Sequence, residues 1–246
     1  MNFFNKTLII VAILFMYVSA NAQHNKIGLS MYSGTVFGDL ADMNNTNPNA
    51  GYAMFSYGGA LEYNYFFKNN IGIGARFNYA EFETDNIQYQ TYLNNELGII
   101  DDNYVSKNNY TYYSSGFQIG VSYNFKISSL FNITPYFYSG FNIFTSPMEK
   151  TVYFKDNKTY THYKETTAFA GFSYAPGIDF SFNFTKHFNA GVFFEYEVSS
   201  HSSNDEISTE YSYDSFNKNV NSKKYDFSAL NIGLKFNYVF GKDTRN

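Results

Sequence analysis

The chain has 246 residues, enough for one large β domain or two small ones. Tyr and Phe supply all of its aromatic residues, which make up 22% of the chain, whereas charged residues make up only 15%. An average soluble domain carries about 25% charged residues. Because cysteine is absent, disulfides, zinc–thiolate sites and thiol catalysis are excluded. The formal net charge of -4 argues against a nucleic-acid partner, since nucleic-acid binding usually requires a basic excess.

Residues 1–22 are typical of a secretory signal peptide. Lys6 precedes an apolar run of 11 residues, Leu8–Val18, and Ala20-Asn21-Ala22 is a small-x-small cleavage site. The run is shorter than the roughly 20 apolar residues that a transmembrane helix needs. A cleaved signal peptide therefore fits these residues better than an uncleaved membrane anchor. We therefore expect residues 23–246 to form one exported domain.

Eight segments of the exported domain alternate apolar and polar residues, which is the period of a strand with two unlike faces. They are 26–37, 55–66, 71–80, 115–126, 132–145, 176–184, 188–198 and 230–240. Long polar connections alternate strictly with short ones. This order predicts an all-β fold: an eight-stranded antiparallel up-and-down barrel with four long loops at one end and both termini at the other. A hairpin hidden in a long connection, for which 84–110 is the best place, would raise the count to ten strands.

The composition of the two strand faces indicates which one points outward. The polar face carries mainly Gly, Ser, Ala and Asn, whereas a water-facing sheet normally carries several charged residues per strand. Small residues suit the narrow interior of an eight-stranded barrel, and a row such as Phe180, Phe182 and Phe184 suits contact with lipid. We therefore expect a barrel that spans a membrane. The alternative is a secreted soluble β-barrel that binds a small apolar ligand.

Five charged residues lie on the face predicted to point inward, and they are Glu62, Arg76, Asp179, Glu195 and Lys235. An isolated charge that is buried from water is costly, and both signs are present. We therefore expect these side chains to form an ion-paired polar network that plugs the barrel. A narrow ion path along the same residues is the alternative.

The last strand, Leu230–Phe240, alternates hydrophobic residues and ends in an aromatic, and Thr134-Pro135-Tyr136 is a further short motif. With the signal peptide and the loop pattern, these features resemble the small outer-membrane β-barrel family of Gram-negative bacteria, the group containing the OmpA transmembrane domain and OmpX. The resemblance covers residues 26–240 and implies residence in the outer membrane and contact with its lipid. It also implies insertion by the barrel assembly machinery through Phe240, although here the chain continues to Asn246.

Members of this family have diverse or unassigned activities. We expect no enzymatic activity and no cofactor, and a structural role or a surface-interaction role through the long loops. Tyr-rich segments such as Tyr110–Tyr113 are candidates for binding a surface ligand, for example a sugar, by stacking. These segments are equally well interpreted as extensions of the strands above the membrane.

One alternative is catalytic. His201-Ser202-Ser203-Asn204 resembles the His-x-Ser-Asn of lipid A 3-O-deacylases, which are also eight-stranded barrels. That resemblance implies Ser203 as nucleophile and His201 as base, with Glu206 or Glu210 orienting the base. Two carboxylate pairs, Asp39/Asp42 and Asp101/Asp102, lack the spacing of a calcium loop, so no metal site is expected.

Overall fold

A computed structural model describes residues 24–44, 47, 50–97, 104–106, 111–155, 158–212 and 215–241. The predicted signal peptide at 1–22 lies outside this part of the chain. The strands, in chain order, are β1 (His24–Gly38), β2 (Ala53–Phe66), β3 (Ile71–Thr84), β4 (Tyr104–Ser106), β5 (Thr111–Tyr123), β6 (Phe125–Lys126), β7 (Phe131–Thr145), β8 (Glu149–Lys155), β9 (Lys158–Lys164), β10 (Ala168–Asn183), β11 (Phe188–Ser212) and β12 (Ser215–Phe240).

Eight of these strands form a closed antiparallel wall: β1, β2, β3, β5, β7, β10, β11 and β12. Each pairs with the next one along the chain, and β12 returns to β1 in a register that runs from Asn25↔Phe240 to Gly38↔Phe227. Closure gives every wall strand two hydrogen-bonded neighbours. The predicted eight-stranded up-and-down barrel is confirmed.

The short turns lie at the end of the barrel that holds His24 and Phe240, and the long connections lie at the other end, here called the loop end. The connection after β3 contains a helix, α1 (Asn86–Leu97), within the range 84–110 that is the best place for a hidden hairpin. Asp85 caps this helix, since its Oδ1 accepts hydrogen bonds from the main-chain N–H groups of Ile87 and Gln88. Among the described residues, no helix combines the length and the apolar character needed to cross a bilayer.

Strand pairing continues above the wall at the loop end. β8 and β9 form a hairpin in the connection between β7 and β10, and β9 pairs with β11 from Ser208↔Lys164 to Ser212↔Tyr160. The fourth long connection is a two-stranded ribbon, because β11 and β12 stay paired as far as Ser212↔Ser215. The extra hairpin therefore extends the loop end and adds no strand to the wall.

The wall has the predicted sidedness. On β5, Phe117 is 58% exposed, whereas its neighbour Gln118 is fully buried. Phe182 is also exposed, and Asn124 is buried inside. On the outer face of the described wall strands, charged side chains occur only near the loop end. The first of them are Glu81 on β3 and Asp226 on β12. The outer surface between the two ends is therefore an apolar belt.

The interior near the loop end differs from the sequence-based expectation of a small and polar filling. Six buried rings meet there and are called the aromatic plug: Phe82, Tyr112, Phe144, Phe169, Tyr225 and Phe227. Phe144 lies at the centre, with its ring centroid 5.3 Å from those of Tyr112 and Tyr225. Leu40, fully buried in the first long connection, belongs to the same cluster. The loop end shields these rings from water, so they pack as a hydrophobic core.

Candidate functional site: the polar interior of the barrel

The five charged residues predicted to point inward all lie inside the barrel, and each is at most 4% exposed. They come from five strands. Glu62 is on β2, Arg76 on β3, Asp179 on β10, Glu195 on β11 and Lys235 on β12. Each belongs to the buried set of an alternating strand, so the backbone period alone places it in the lumen.

Arg76 and Glu195 form an ion pair between opposite sides of the barrel, because β3 and β11 are four strands apart in the ring. Both terminal guanidinium nitrogens contact the carboxylate, with 3.1 Å between Arg76 Nη2 and Glu195 Oε1. The remaining donor, Arg76 Nε, donates to Gln118 Oε1, and Gln118 in turn donates to Ser173 Oγ at 2.6 Å. The Arg76 guanidinium also lies 4.6 Å from the ring centroid of Tyr138. Each part of this buried cation therefore has a partner.

Lys235 and Glu62 form the second ion pair, with 3.0 Å between Lys235 Nζ and Glu62 Oε2. The ammonium also lies 4.7 Å from the ring centroid of Tyr136 and 5.3 Å from that of Phe193. Glu62 and Arg76 are direct register partners on β2 and β3, but each forms its ion pair with another strand. Opposite charges are thus matched between strands that are not adjacent, four strands apart for Arg76–Glu195 and two for Lys235–Glu62.

Asp179 lies beside a small cavity below the two ion pairs, towards the end with the short turns. The cavity measures about 20 Å³, roughly the space of one water molecule. Three atoms that belong to its lining residues have no hydrogen-bond partner among the described residues: Asp179 Oδ1, Ser122 Oγ and Tyr136 Oη. Lys26 and Lys235 also line the cavity. It is suited to hold water that hydrates the Asp179 carboxylate.

The residues of the catalytic alternative are arranged differently. His201 is buried beside the aromatic plug, with its ring stacked on Phe227 at a centroid distance of 5.5 Å. Within the described part of the chain, neither of its ring nitrogens has a hydrogen-bond partner, so it does not contact the Ser203 hydroxyl. The side chains of Glu206 and Glu210 lie outside the described residues. The geometry between His201 and Ser203 is not that of a base activating a nucleophile.

Asp39 and Asp42 serve the local structure of the first long connection. Asp42 Oδ2 accepts a hydrogen bond of 2.7 Å from Asn47 Nδ2, and Asp39 Oδ2 accepts one of 3.2 Å from the Asp226 main chain. The hydrogen bonds from Asn47 and Asn44 hold the pKa of Asp42 below its usual range. No group of three His, Asp or Glu side chains suited to a metal occurs in the described ranges. The other pair, Asp101/Asp102, lies outside them.

Sequence reasoning did not single out several residues that complete the interior. Gln118, Tyr136 and Tyr138 lie on the inward face of their strands, and the alternation alone could have placed them there. Lys26 stands at the start of β1, where the alternation is weak, and its ammonium lies 4.9 Å from the ring centroid of Phe66. Aromatic rings thus lie against the interior cations, which a search for charged pairs overlooks.

The class of this protein follows from four features: a closed wall, an outward apolar belt, a filled polar lumen and long loops at one end. Together they define an integral β-barrel of the bacterial outer-membrane type. No protein-family model matches the chain, and no curated protein matches it either.

Solved structures of outer-membrane proteins do match the chain. The attachment invasion locus protein Ail of Yersinia pestis is 14% identical, with 88% of this chain and 98% of Ail covered and a TM-score of 0.44. OprG of Pseudomonas aeruginosa is 13% identical, with 88% and 95% covered and a TM-score of 0.41. The outer-membrane protease OmpT of Escherichia coli is 7% identical, with 88% and 96% covered and a TM-score of 0.33. These identities and scores are low, so the class rests on the closed wall itself.

The central ion pair gives a testable prediction. Replacing Arg76 with Met leaves Glu195 buried without a partner and should lower the free energy of unfolding by about 3–5 kcal/mol. The double variant Arg76→Met/Glu195→Gln should recover most of that loss, because it removes both charges.

Urea unfolding of the barrel in lipid vesicles measures the free energy of unfolding of the single and the double variant. Lys224→Met is the matched control, since it breaks the exposed pair Lys224–Asp226 on the outer surface and should cost less than about 1 kcal/mol. Equal losses in Arg76→Met and Lys224→Met would contradict the account.

His201 gives a prediction about pH. Its outward neighbours Ser200 and Ser202 are exposed and polar, which places it above the apolar belt. Burial lowers the pKa of His201 to about 4, although the Asp226 carboxylate opposes this shift. Between pH 6.5 and 4 the unfolded chain therefore binds a proton that the folded barrel does not. The neutral, buried His201 therefore lowers the stability of the folded barrel only below pH 6.5. As the pH falls from 6.5 to 4, the free energy of unfolding should decrease by roughly 2–3 kcal/mol.

The variant His201→Phe keeps a ring beside Phe227 and removes the titrating group. Its free energy of unfolding should fall less steeply between pH 6.5 and 4 than that of the wild type. Urea unfolding at several pH values measures the two slopes, and identical slopes would show that His201 is not the responsible group.

Proposed function

We propose that the protein is a non-enzymatic integral barrel of the bacterial outer membrane that presents its long connections at the cell surface. The observation that carries this proposal is the sidedness of the closed wall. Large apolar side chains such as Phe117, Ile119 and Leu234 face outward and are half-exposed or more. A soluble protein rarely exposes an apolar surface that is continuous around its whole circumference. Lipid is the partner that such a belt fits.

The filled interior supports a structural role or a surface role over transport of a solute. Arg76–Glu195 crosses the lumen from one side to the other, and the aromatic plug lies between this pair and the loop end. The same filling argues against a soluble ligand-binding barrel, because the cavity at Asp179 is only about 20 Å³. Transport and ligand storage both need more free space than this.

The elements at the loop end supply the surface for an interaction role. α1, the β8–β9 hairpin and the β11–β12 ribbon stand above the wall. Exposed apolar side chains occur on or beside each of them, at Ile87, Met148 and Val220. Tyr112, one of the candidates for stacking on a sugar, is buried in the aromatic plug. Tyr110 lies outside the described residues. Surface recognition is therefore assigned to the loop-end elements and not to Tyr112.

The membrane assignment is tested with cell fractions. We expect the protein to stay with the outer membrane after an alkaline carbonate wash and to migrate faster on gels when it is not boiled, because a closed barrel remains compact in detergent. Sodium carbonate extraction, sucrose-gradient separation of the two membranes and paired boiled and unboiled lanes measure this. A protein released by carbonate, with the same migration in both lanes, would contradict the proposal.

A further inference from the structure

A buried histidine lies against the aromatic plug at the loop end. The His201 ring is 1% exposed, stacks on Phe227 and lies 5.4 Å from Phe144, measured between ring centroids. It also lies so close to its register partner Gly171 on β10 that a Cβ there would overlap the imidazole. Neither ring nitrogen has a hydrogen-bond partner among the described residues. Packing alone therefore holds this ring, which suits an uncharged imidazole.

The ionisable groups that β12 brings near His201 place no carboxylate inside the plug. Tyr225 is the register partner of His201, and the Lys223 ammonium lies 4.9 Å from the Tyr225 ring centroid. The Asp226 carboxylate is on the outer face of β12, where it is paired with Lys224 at 2.6 Å. A positive charge on His201 would therefore meet another cation on this side and no buried acid.

The other strands around His201 offer no closer acid. On β11 itself the next inward-facing carboxylate below the ring belongs to Glu197, four residues away, or about 13 Å along a strand. That carboxylate accepts hydrogen bonds from Asn142 and Ser199. The residues of β7 and β10 that lie nearest the ring carry no ionisable group, and they are Asn142, Phe144, Phe169 and Gly171. A protonated His201 would thus be an unpaired charge among rings.

The β11–β12 ribbon has an irregular register just above His201. From Ser203↔Lys223 to the next pair, Glu206↔Asn221, β11 advances by three residues and β12 by two. An extra residue of this kind is a β-bulge, which disrupts the ladder locally and bends the strand. Below the bulge the pairing of the two strands is continuous down to Phe188↔Tyr238. The bulge is therefore a point where the ribbon can move without breaking the wall.

We propose that His201 makes the aromatic plug an acid-released closure of the loop end. Protonation puts an unpaired charge among the rings, which is costly in such an environment. The imidazolium then leaves its contacts with Phe144 and Phe227, the ribbon moves at the bulge, and water enters the plug. The wall below stays closed, because the pairing of β1 with β12 does not involve His201. Acid thus uncovers apolar rings at the loop end that stay buried at neutral pH.

The titration of the buried ring supports this mechanism. Burial lowers the pKa of His201 to about 4, although the Asp226 carboxylate opposes this shift. A ring that is released into water titrates near pH 6.5. Between these two values the open form binds a proton that the closed form does not. The ratio of open to closed barrels therefore rises by up to about tenfold for each pH unit of acidification.

The test measures the reaction of a single cysteine placed inside the plug, in a chain that has no other cysteine. Ser114 points inward on β5, is 5% exposed and is the register partner of Phe144, so Ser114→Cys puts a small thiol at the level of the plug. Ser222 is exposed on the ribbon, and Ser222→Cys is the reference. Both are treated in detergent micelles with dithiodipyridine, which modifies thiols in acid as well as at neutral pH. The rate at the plug is divided by the rate at the reference, which removes the effect of pH on the thiol chemistry.

This rate ratio should be at least about tenfold higher at pH 4.5 than at pH 7.5. With His201→Phe, which keeps a ring beside Phe227, the ratio should change by less than about twofold between the two pH values. His201→Leu is the second apolar variant and should behave in the same way if the Phe variant fails to fold. His162→Phe is the matched control, since it removes the histidine of β9 at the same end and should keep the full rise.

Three results would overturn the proposal. The first is a rise below tenfold in the chain with His201, and the second is an equal rise in the apolar variants, because another group would then respond to acid. The third comes from unboiled gel migration after each reaction: labelling confined to chains that have lost the fast-migrating form would show unfolding of the whole wall. Because the measurement is made in detergent, its outcome does not depend on the proposed membrane location.

Discussion

The closed ring of main-chain hydrogen bonds is the constraint on which the rest of this molecule depends. An unpaired N–H or C=O group is costly in hydrocarbon, so a sheet in lipid has to join its last strand to its first. β12 does this along the whole of β1, from Asn25↔Phe240 to Gly38↔Phe227. Once the wall is closed, the two-residue period of each strand gives it an inner and an outer face. The outer face then suits lipid, and the inner face has to satisfy its own polar groups.

The narrow lumen explains why the interior charges are matched so closely. Eight strands leave room for side chains and little else, so each charged group needs a partner inside the barrel. Arg76–Glu195 and Lys235–Glu62 meet this need between non-adjacent strands, and the rings of Tyr138 and Tyr136 lie against the two cations. Replacing such a pair by well-packed apolar groups is often neutral for stability, whereas removing only one partner is costly. A filled interior leaves the outer wall and the loop end as the surfaces that other molecules can contact.

Sequence reasoning reached the strand number, the topology and the sidedness, because alternation is a local property of each strand. It also placed Glu62, Arg76, Asp179, Glu195 and Lys235 on one face. It could not pair them, since contacts across a lumen depend on strand tilt and stagger, which the register of the whole ring determines. The aromatic plug was missed because Phe82 and Phe144 lie beyond or at the ends of the recognised strand patterns. α1 was missed because its stability comes from the Asp85 cap and from the contact of Tyr52 with Tyr89, and not from an apolar stripe.

The sidedness of the wall is most directly tested by nitroxide accessibility, for which a chain without cysteine is well suited. Single cysteines introduced along β5, as Phe117→Cys, Gln118→Cys, Ile119→Cys and Val121→Cys, are spin-labelled in the reconstituted barrel. Oxygen concentrates in hydrocarbon, so relaxation by oxygen should be high at 117, 119 and 121 and low at 118. High oxygen accessibility at 118 with low values at its neighbours, or no alternation at all, would contradict a wall whose rings face lipid.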